Sequence, residues 1–368
     1  MCDQVLGRGN ERSLGRAPGD AGRTGRCANI TVHMAVVRGA RAARWRRAVV
    51  AALLALVAAA LLACGSSERP LPGRPRADDG AAVVAERRIA PRIVDLSVRS
   101  PALGTTGKVR LLTPVGWASG RERRQWPVLY LLHGCCDTYD SWTRETEVED
   151  LPRLRDVLVV MPEAGAVGFY SNWRGGGRAG GPAWETFHLG EVRQILERGY
   201  GAGRRHAVAG LSMGGLGAMG YAARHPGLFR AAASYSGLLH PLKDVRFHLD
   251  LFSAHTNDPL DVWGDPVSER RVWVVHDPTE LAGRLRGTAL FVSAGNGRPG
   301  PFEQPGRPDD RLEATVHREG RAFAERLRRL HIPFEADFYG PGVHDWPYWE
   351  RELERSLPLL LGPLGVGR

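Results

Sequence analysis

Arg205-His206-Ala207-Val208-Ala209-Gly210-Leu211-Ser212-Met213-Gly214-Gly215, followed by Leu216-Gly217-Ala218-Met219-Gly220-Tyr221-Ala222-Ala223, is the stretch whose reading decides the fold. A short apolar run, the pattern Gly-x-Ser-x-Gly and then a segment of small residues read as strand, sharp turn and helix, with Ser212 at the turn. That arrangement is a nucleophile elbow. Gly210 and Gly214 have a steric reason to be there, because strand and helix backbones must cross closely beneath the serine and any side chain would collide. In a chain with 46 glycines the pattern alone carries little weight. The strand before it and the helix after it supply the context that the motif requires.

Outward from the elbow, apolar runs alternate with helical segments. Arg92 to Val98 and Lys108 to Val115 have period two and read as an opening antiparallel pair. Trp126 to Leu132 and Asp156 to Pro162 are continuous apolar runs, as strands buried on both faces should be. Trp184 to Leu196 reads as a helix, Phe229 to Tyr235 and Thr288 to Ala294 as strands, Leu312 to Leu330 as a long helix, Phe334 to Tyr339 as the last strand and Trp346 to Leu361 as a closing helix. Such alternation predicts a single α/β domain over 90–361, a mostly parallel sheet with helices on both faces. Residues 240–279, with weak periodicity, read as a cap or substrate-binding insertion, and 362–368 as a tail.

The formal charge of +10 is misleading until it is located. Ten Arg and three acids in residues 1 to 63 account for +7 of it, so the remainder gives no basic surface for nucleic acid and none is expected as a partner. Residues 1–33 read as an upstream mis-start or leader. After Met34, the arginines at 38, 41, 44, 46 and 47, the uncharged run Ala48 to Ala63 and then Cys64 have the order of a secretory signal over 34–63. Leu61-Leu62-Ala63-Cys64 resembles a bacterial lipobox, which makes Cys64 the expected lipidation site and the chain an exported lipoprotein on the outer face of the membrane, or else secreted. The apolar run is about 16 residues, short of the ~20 that span a bilayer. Residues 64–89, with Pro70, Pro72, Gly73 and Pro75, read as a tether. In the domain only Cys135 and Cys136 remain, and adjacent cysteines are expected to be free, since a bridge wants Cα atoms farther apart than neighbours are.

A serine hydroxyl needs a base to take its proton and a third group to hold the base's tautomer. In folds built around such an elbow the chain order is Ser, acid, His. His344 stands in the glycine-rich loop after the last strand, where this architecture delivers its base. Glu303, Asp309, Asp310 and Glu313 all follow the strand that ends at Ala294, and position alone does not choose among them. The oxyanion donors should be the amide of Met213 and an amide of the loop after Trp126 to Leu132, for which Cys135 is the candidate.

Met161-Pro162, Phe169-Tyr170-Ser171-Asn172-Trp173, Trp184-Glu185-Thr186-Phe187, Gly210-Leu211-Ser212-Met213-Gly214, Asp261-Val262-Trp263-Gly264, Gly295-Asn296-Gly297 and His344-Asp345-Trp346-Pro347-Tyr348-Trp349 resemble, in order, the esterase family that includes esterase D and the antigen 85 mycolyltransferases. The resemblance runs from about Arg92 to Leu361 and implies the α/β-hydrolase fold. It also implies that the acid is a glutamate early in the long helix with an aromatic residue ten positions later. Glu313 and Phe323 match, so the resemblance selects Glu313. His133, Trp263 and Trp346 are the residues it suggests for substrate contact. The mycolyltransferases carry an acidic residue where this chain has His133 and a basic one where it has Cys136, both helping to hold trehalose, and neither is kept. The resulting expectation is an exported serine esterase with Ser212, Glu313 and His344, needing no metal or organic cofactor and taking a small-molecule or lipid ester. The alternatives are acyl transfer to a sugar or lipid alcohol, and a non-catalytic surface binding protein on the same fold.

Overall fold

Runs that are apolar at every position become the centre of one sheet. The computed structural model describes residues 70–118, 124–176 and 180–366. Among them, β1 (Ala82–Arg88), β2 (Ile93–Ser100), β3 (Thr105–Leu112), β4 (Trp126–Leu132), β5 (Leu158–Pro162), β6 (Ala202–Leu211), β7 (Phe229–Tyr235), β8 (Ala289–Ser293) and β9 (Glu335–Asp337) pair in the order β1-β2-β3-β5-β4-β6-β7-β8-β9. The first three pairings are antiparallel and the rest parallel. All seven residues of β4 and all five of β5 are buried. Side chains alternate across the sheet, so Val128, Tyr130, Leu132, Val160 and Val208 join one core while Leu129, Leu131, Val159, Ala207 and Ala209 join the other.

Helices cover both faces. Among the described residues they are α1 (Ser141–Glu145), α2 (Arg193–Gly199), α3 (Met213–Arg224), α4 (Val245–Ser253), α5 (Leu260–Trp263), α6 (Arg270–Val275), α7 (Arg311–Arg329) and α8 (Trp346–Leu361). Ile195 of α2, Leu216 and Met219 of α3, and Val316, Phe323 and Leu327 of α7 pack on one face. Trp142 of α1 and Trp349, Leu353, Leu357 and Leu360 of α8 pack on the other. This is the α/β-hydrolase architecture that the sequence leads one to expect. Because β4 through β9 run parallel, the loops that follow them gather at one edge.

Three expectations need correction or refinement. The folded part begins before residue 90, because Ala82–Arg88 is not tether but an edge strand zipped to β2, with Leu71 N–H donating to Val83 O at 2.9 Å and Arg74 paired with Glu86 at 2.6 Å. The prolines upstream disguised it, while Ala81 to Val84 bury their apolar side chains. The helix expected from Trp184 is wound as a π-helix over Thr186–Val192 before α2 continues it. Residues 240–279 hold α4, α5 and α6 and no strand, and Phe252, Val262, Trp263 and Trp273 merge with the main core. No helix among the described residues is long and apolar enough to cross a membrane. The leader, the signal segment and Cys64 lie outside the described residues.

Candidate active site

Ser212 sits directly between β6 and α3 with φ 52° and ψ −120°, a region that residues with a Cβ avoid at a cost of about 1–3 kcal/mol. The close crossing enforces it. A Cβ on Gly210 would strike the carbonyl of Gly214, and one on Gly214 would strike the carbonyl oxygens of Leu132 and His133. The Ser212 amide donates to Tyr235 O at 2.9 Å, tying the turn to the end of β7.

The loop after β4 passes beside this serine: a Cβ on Gly134 would lie 3.5 Å from Ser212 Cβ. Trp142 Nε1 donates to Leu132 O at 3.1 Å and Tyr170 OH to His133 O at 3.0 Å, so buried rings satisfy the carbonyls that border the elbow. The Cys136 amide is bound to Ala166 O at 2.8 Å. The amides of Cys135 and Met213 carry no hydrogen bond among the described residues. For Met213 the reason is general, since the first amides of a helix have no acceptor within it.

His344, 7% exposed, follows β9, and its Nδ1 lies 2.7 Å from Glu313 Oε2. Glu313 is fully buried in the first turn of α7. Its Oε1 accepts from Ser236 Oγ at 2.9 Å and from the Gly295 amide at 2.7 Å. With Oε1 taken by two donors, the carboxylate at Oε2 calls for a proton on Nδ1, which leaves Nε2 as the acceptor. Nε2 is buried and has no partner among the described residues. The edge of Trp349 packs against the imidazole at 4.9 Å between centroids, and Trp349 Nε1 donates to Ser236 Oγ at 3.1 Å.

Of the four acids that position could not separate, only Glu313 reaches the imidazole. Asp310 caps α7, accepting from the Glu313 amide at 3.0 Å, and holds the His344 amide at 2.9 Å through its other oxygen. Glu303 accepts from Tyr348 OH at 2.7 Å, and Asp309 is exposed. Ser236, Trp349 and the bracing role of Asp310 were not foreseen. One signal was available: Ser236 directly follows β7, the strand next to the elbow, and takes φ 48°.

Two substrate-contact expectations are corrected. His133 is buried, with Nε2 accepting from the Ala164 amide at 3.0 Å and Nδ1–H donating to Gly134 O at 2.7 Å, so no polar atom of its ring is left for a substrate. Trp263 is fully buried, donates Nε1–H to Ser171 Oγ at 2.9 Å and stacks on His276 at 5.0 Å. A buried indole finds a partner for its N–H, and here it pins the helical region to the Phe169-Tyr170-Ser171 loop. Trp346, half-buried, stands against Trp349 and Trp142 at 5.3 and 5.2 Å, one ring removed from the imidazole. The expectation that Cys135 and Cys136 are free is also overturned, since their sulfurs are bonded. Cys136 takes φ 64°, which turns the two side chains to the same side where extended backbone would send them apart.

Comparison with known proteins bears on the family and the fold. Residues 100–360 match the protein family described as Esterase. Esterase Rv1288 of Mycobacterium tuberculosis is 32% identical over 275 residues, which is 72% of this chain and 58% of the relative, so the chain spans little more than half of that protein. The diacylglycerol acyltransferase/mycolyltransferase Ag85A of Mycobacterium leprae is 30% identical over 345 residues, 89% of this chain and 97% of the relative. The crystal structure of MPT51 from Mycobacterium tuberculosis is 25% identical with a TM-score of 0.58, covering 72% of this chain and 96% of its own.

Proposed function

The chain belongs to the Esterase family, an enzyme of ester hydrolysis or acyl transfer, and from that premise we propose that it hydrolyses carboxylic esters through an acyl-enzyme on Ser212. His344 Nε2 takes the Ser212 proton as Oγ attacks the ester carbonyl, and returns it to the departing alcohol. Glu313 holds Nδ1–H and stabilises the imidazolium. The amides of Cys135 and Met213 receive the oxyanion of the tetrahedral intermediate. Water then repeats the sequence on the acyl-enzyme. These steps use only groups of the chain itself. The observation that carries the reading is the buried 2.7 Å contact of His344 Nδ1 with a carboxylate that already accepts two other hydrogen bonds, with Nε2 left open.

Ser212→Ala tests it. Turnover of p-nitrophenyl esters should vanish, covalent labelling by a fluorophosphonate should be lost, and the thermal melt should hold. Wild-type turnover in that variant would end the proposal. Acyl transfer is the second reading, favoured by the acyltransferase relatives, and product analysis with added sugar or lipid alcohols separates the two. For the region outside the described residues, the proposal is export and lipidation at Cys64, on the order of basic, apolar and lipobox segments. Cys64→Ala should leave the membrane fraction; a variant that stays there, with residues 38 to 63 retained by mass spectrometry, would favour a plain anchor.

A further inference from the structure

Two segments distant in sequence meet at the rim of the oxyanion loop. Cys135 and Cys136 come from the loop after β4, and His255 follows α4 in the helical region between β7 and β8. The three ligand atoms lie within 4.8 Å of one another, with Cys136 Sγ 3.0 Å from His255 Nε2. Cys135 is half-buried while Cys136 and His255 are exposed, so an ion can reach them. Each segment is braced by a backbone bond of its own, Cys136 N–H to Ala166 O at 2.8 Å and His255 N–H to Phe252 O at 3.1 Å, and the two meet through their side chains.

We propose that Cys135, Cys136 and His255 form a redox-gated site for a thiophilic cation such as Zn²⁺, Cd²⁺ or Cu⁺. Two thiolates and an imidazole are the donor set that such ions prefer, and three protein ligands leave a fourth position open. A tetrahedral ion with bonds of about 2.0–2.3 Å would set the ligand atoms roughly 3.6–3.8 Å apart. That spacing falls inside the present cluster once the sulfur pair has parted. The bonded pair cannot ligate as thiolates, so reduction must come first. A dithiol reductant gives two electrons and two protons to the S–S bond and leaves as its own disulfide; two thiols form, and the entering cation displaces their protons. An oxidising compartment would keep the site closed. On the esterase reading there is a consequence for turnover, because Cys135 also supplies a candidate oxyanion amide. A metal that draws its sulfur toward His255 pulls that amide off position.

Cadmium is the probe, in the full chain with Cys2, Cys27 and Cys64 changed to Ser so that only this pair reports. After reduction, one Cd²⁺ per chain should bind with a thiolate-to-metal charge-transfer band; the oxidised chain should give none. Cys136→Ser should lose the band, and the exposed His255→Ala should bind at least tenfold more weakly while its metal-free ester hydrolysis is unchanged. No band in the reduced chain, or equal affinity in His255→Ala, overturns the site. Cadmium should lower ester turnover and a chelator should restore it. Binding without that loss overturns the link to the oxyanion loop and leaves the site standing. A metal-free chain that hydrolyses nothing defeats the esterase reading, while the charge-transfer band still decides the site.

Discussion

Glu313→Gln is the change for which the geometry makes the sharpest demand. The carboxylate accepts three hydrogen bonds, two at Oε1 from Ser236 Oγ and the Gly295 amide and one at Oε2 from His344 Nδ1. An amide keeps one acceptor oxygen. Placed toward Ser236 and Gly295, that oxygen satisfies two donors and turns the NH₂ toward Nδ1; the reverse orientation sets NH₂ against two donors and is the worse choice. Facing NH₂, the imidazole must accept at Nδ1 and carry its proton on Nε2, where it can no longer take one from Ser212. In a Ser-His-Asp site the equivalent isosteric change lowers kcat about 10⁴-fold, which at 1.36 kcal/mol per decade is roughly 5.4 kcal/mol of transition-state stabilisation. The expected result on a soluble p-nitrophenyl ester is that loss in kcat with KM little changed. Asp310→Asn should separate orientation from bracing: the amide oxygen can still cap α7, but the NH₂ then faces the His344 amide and that hydrogen bond is lost, at about 1–3 kcal/mol of stability, while kcat should stay within about tenfold, below ~1.4 kcal/mol. If Asp310→Asn is the crippled variant and Glu313→Gln turns over normally, the acid has been misassigned.

Ser212→Gly should abolish turnover yet raise the melting temperature, because glycine occupies φ 52° without the Cβ penalty of about 1 kcal/mol or more, worth roughly 2 °C in calorimetry; a lower melt would refute strain at the elbow. Ser236→Ala removes one donor to Glu313 and leaves the buried Trp349 Nε1 without an acceptor. It should cost about 1–3 kcal/mol in urea unfolding along with a fall in kcat, and an unchanged midpoint would mean that the serine braces nothing. Burial lowers His188 to about 4 and His276 to about 3. The unfolded chain therefore binds more protons than the native one below the ordinary value near 6.5, and stability is full above that pH. It should fall with pH at up to about 1.4 kcal/mol per unit for each ring, down to about 4 for His188 and 3 for His276. Urea midpoints at pH 7, 6 and 5 measure the slope, which His276→Gln should reduce; a flat profile would contradict the burial argument.

What the sequence made legible tracks how local each determinant is. Strands β4 and β5 were readable because residues buried on both faces leave no polar position to confuse the run. β1 was not, since it is an edge strand buried only at Ala82, Val83 and Val84, preceded by prolines that suggest unstructured chain. The placement of Ser212 was readable because it directly follows the end of a strand, and that of His344 because it stands in the glycine-rich loop between the last strand and the closing helix. Glu313 was not separable from Asp310 by position, because the two stand one helical turn apart at the start of α7. Asp310 and Glu313 have the spacing of a capping box, in which the glutamate would reach back to the Asp310 amide. That amide instead donates to Gly297 O at 2.6 Å, and the freed carboxylate turns to the imidazole. Trp263 and His133 were misread because a motif gives identity without depth. The cysteine pair was misread because the distance rule says nothing of a residue at φ 64°.

The same depth bears on which acceptor the acyl group meets. The two positions at which the resemblance to the mycolyltransferases implies a sugar contact are occupied here by a histidine whose ring nitrogens are both engaged with backbone and by a cysteine whose sulfur is bonded to its neighbour. Neither side chain keeps a polar atom free, so on the proposed oxyanion reading these two positions give an alcohol no grip. An acyl-enzyme discriminates between water and alcohol only through groups that bind the alcohol beside it, since the attacking oxygen uses the same imidazole in either case. On the proposed reading, the lack of such groups at these two positions gives water, at bulk concentration, the expected advantage. A preference for transfer would have to come from the aromatic wall of Trp346 and Trp349 or from the helical region that carries His255.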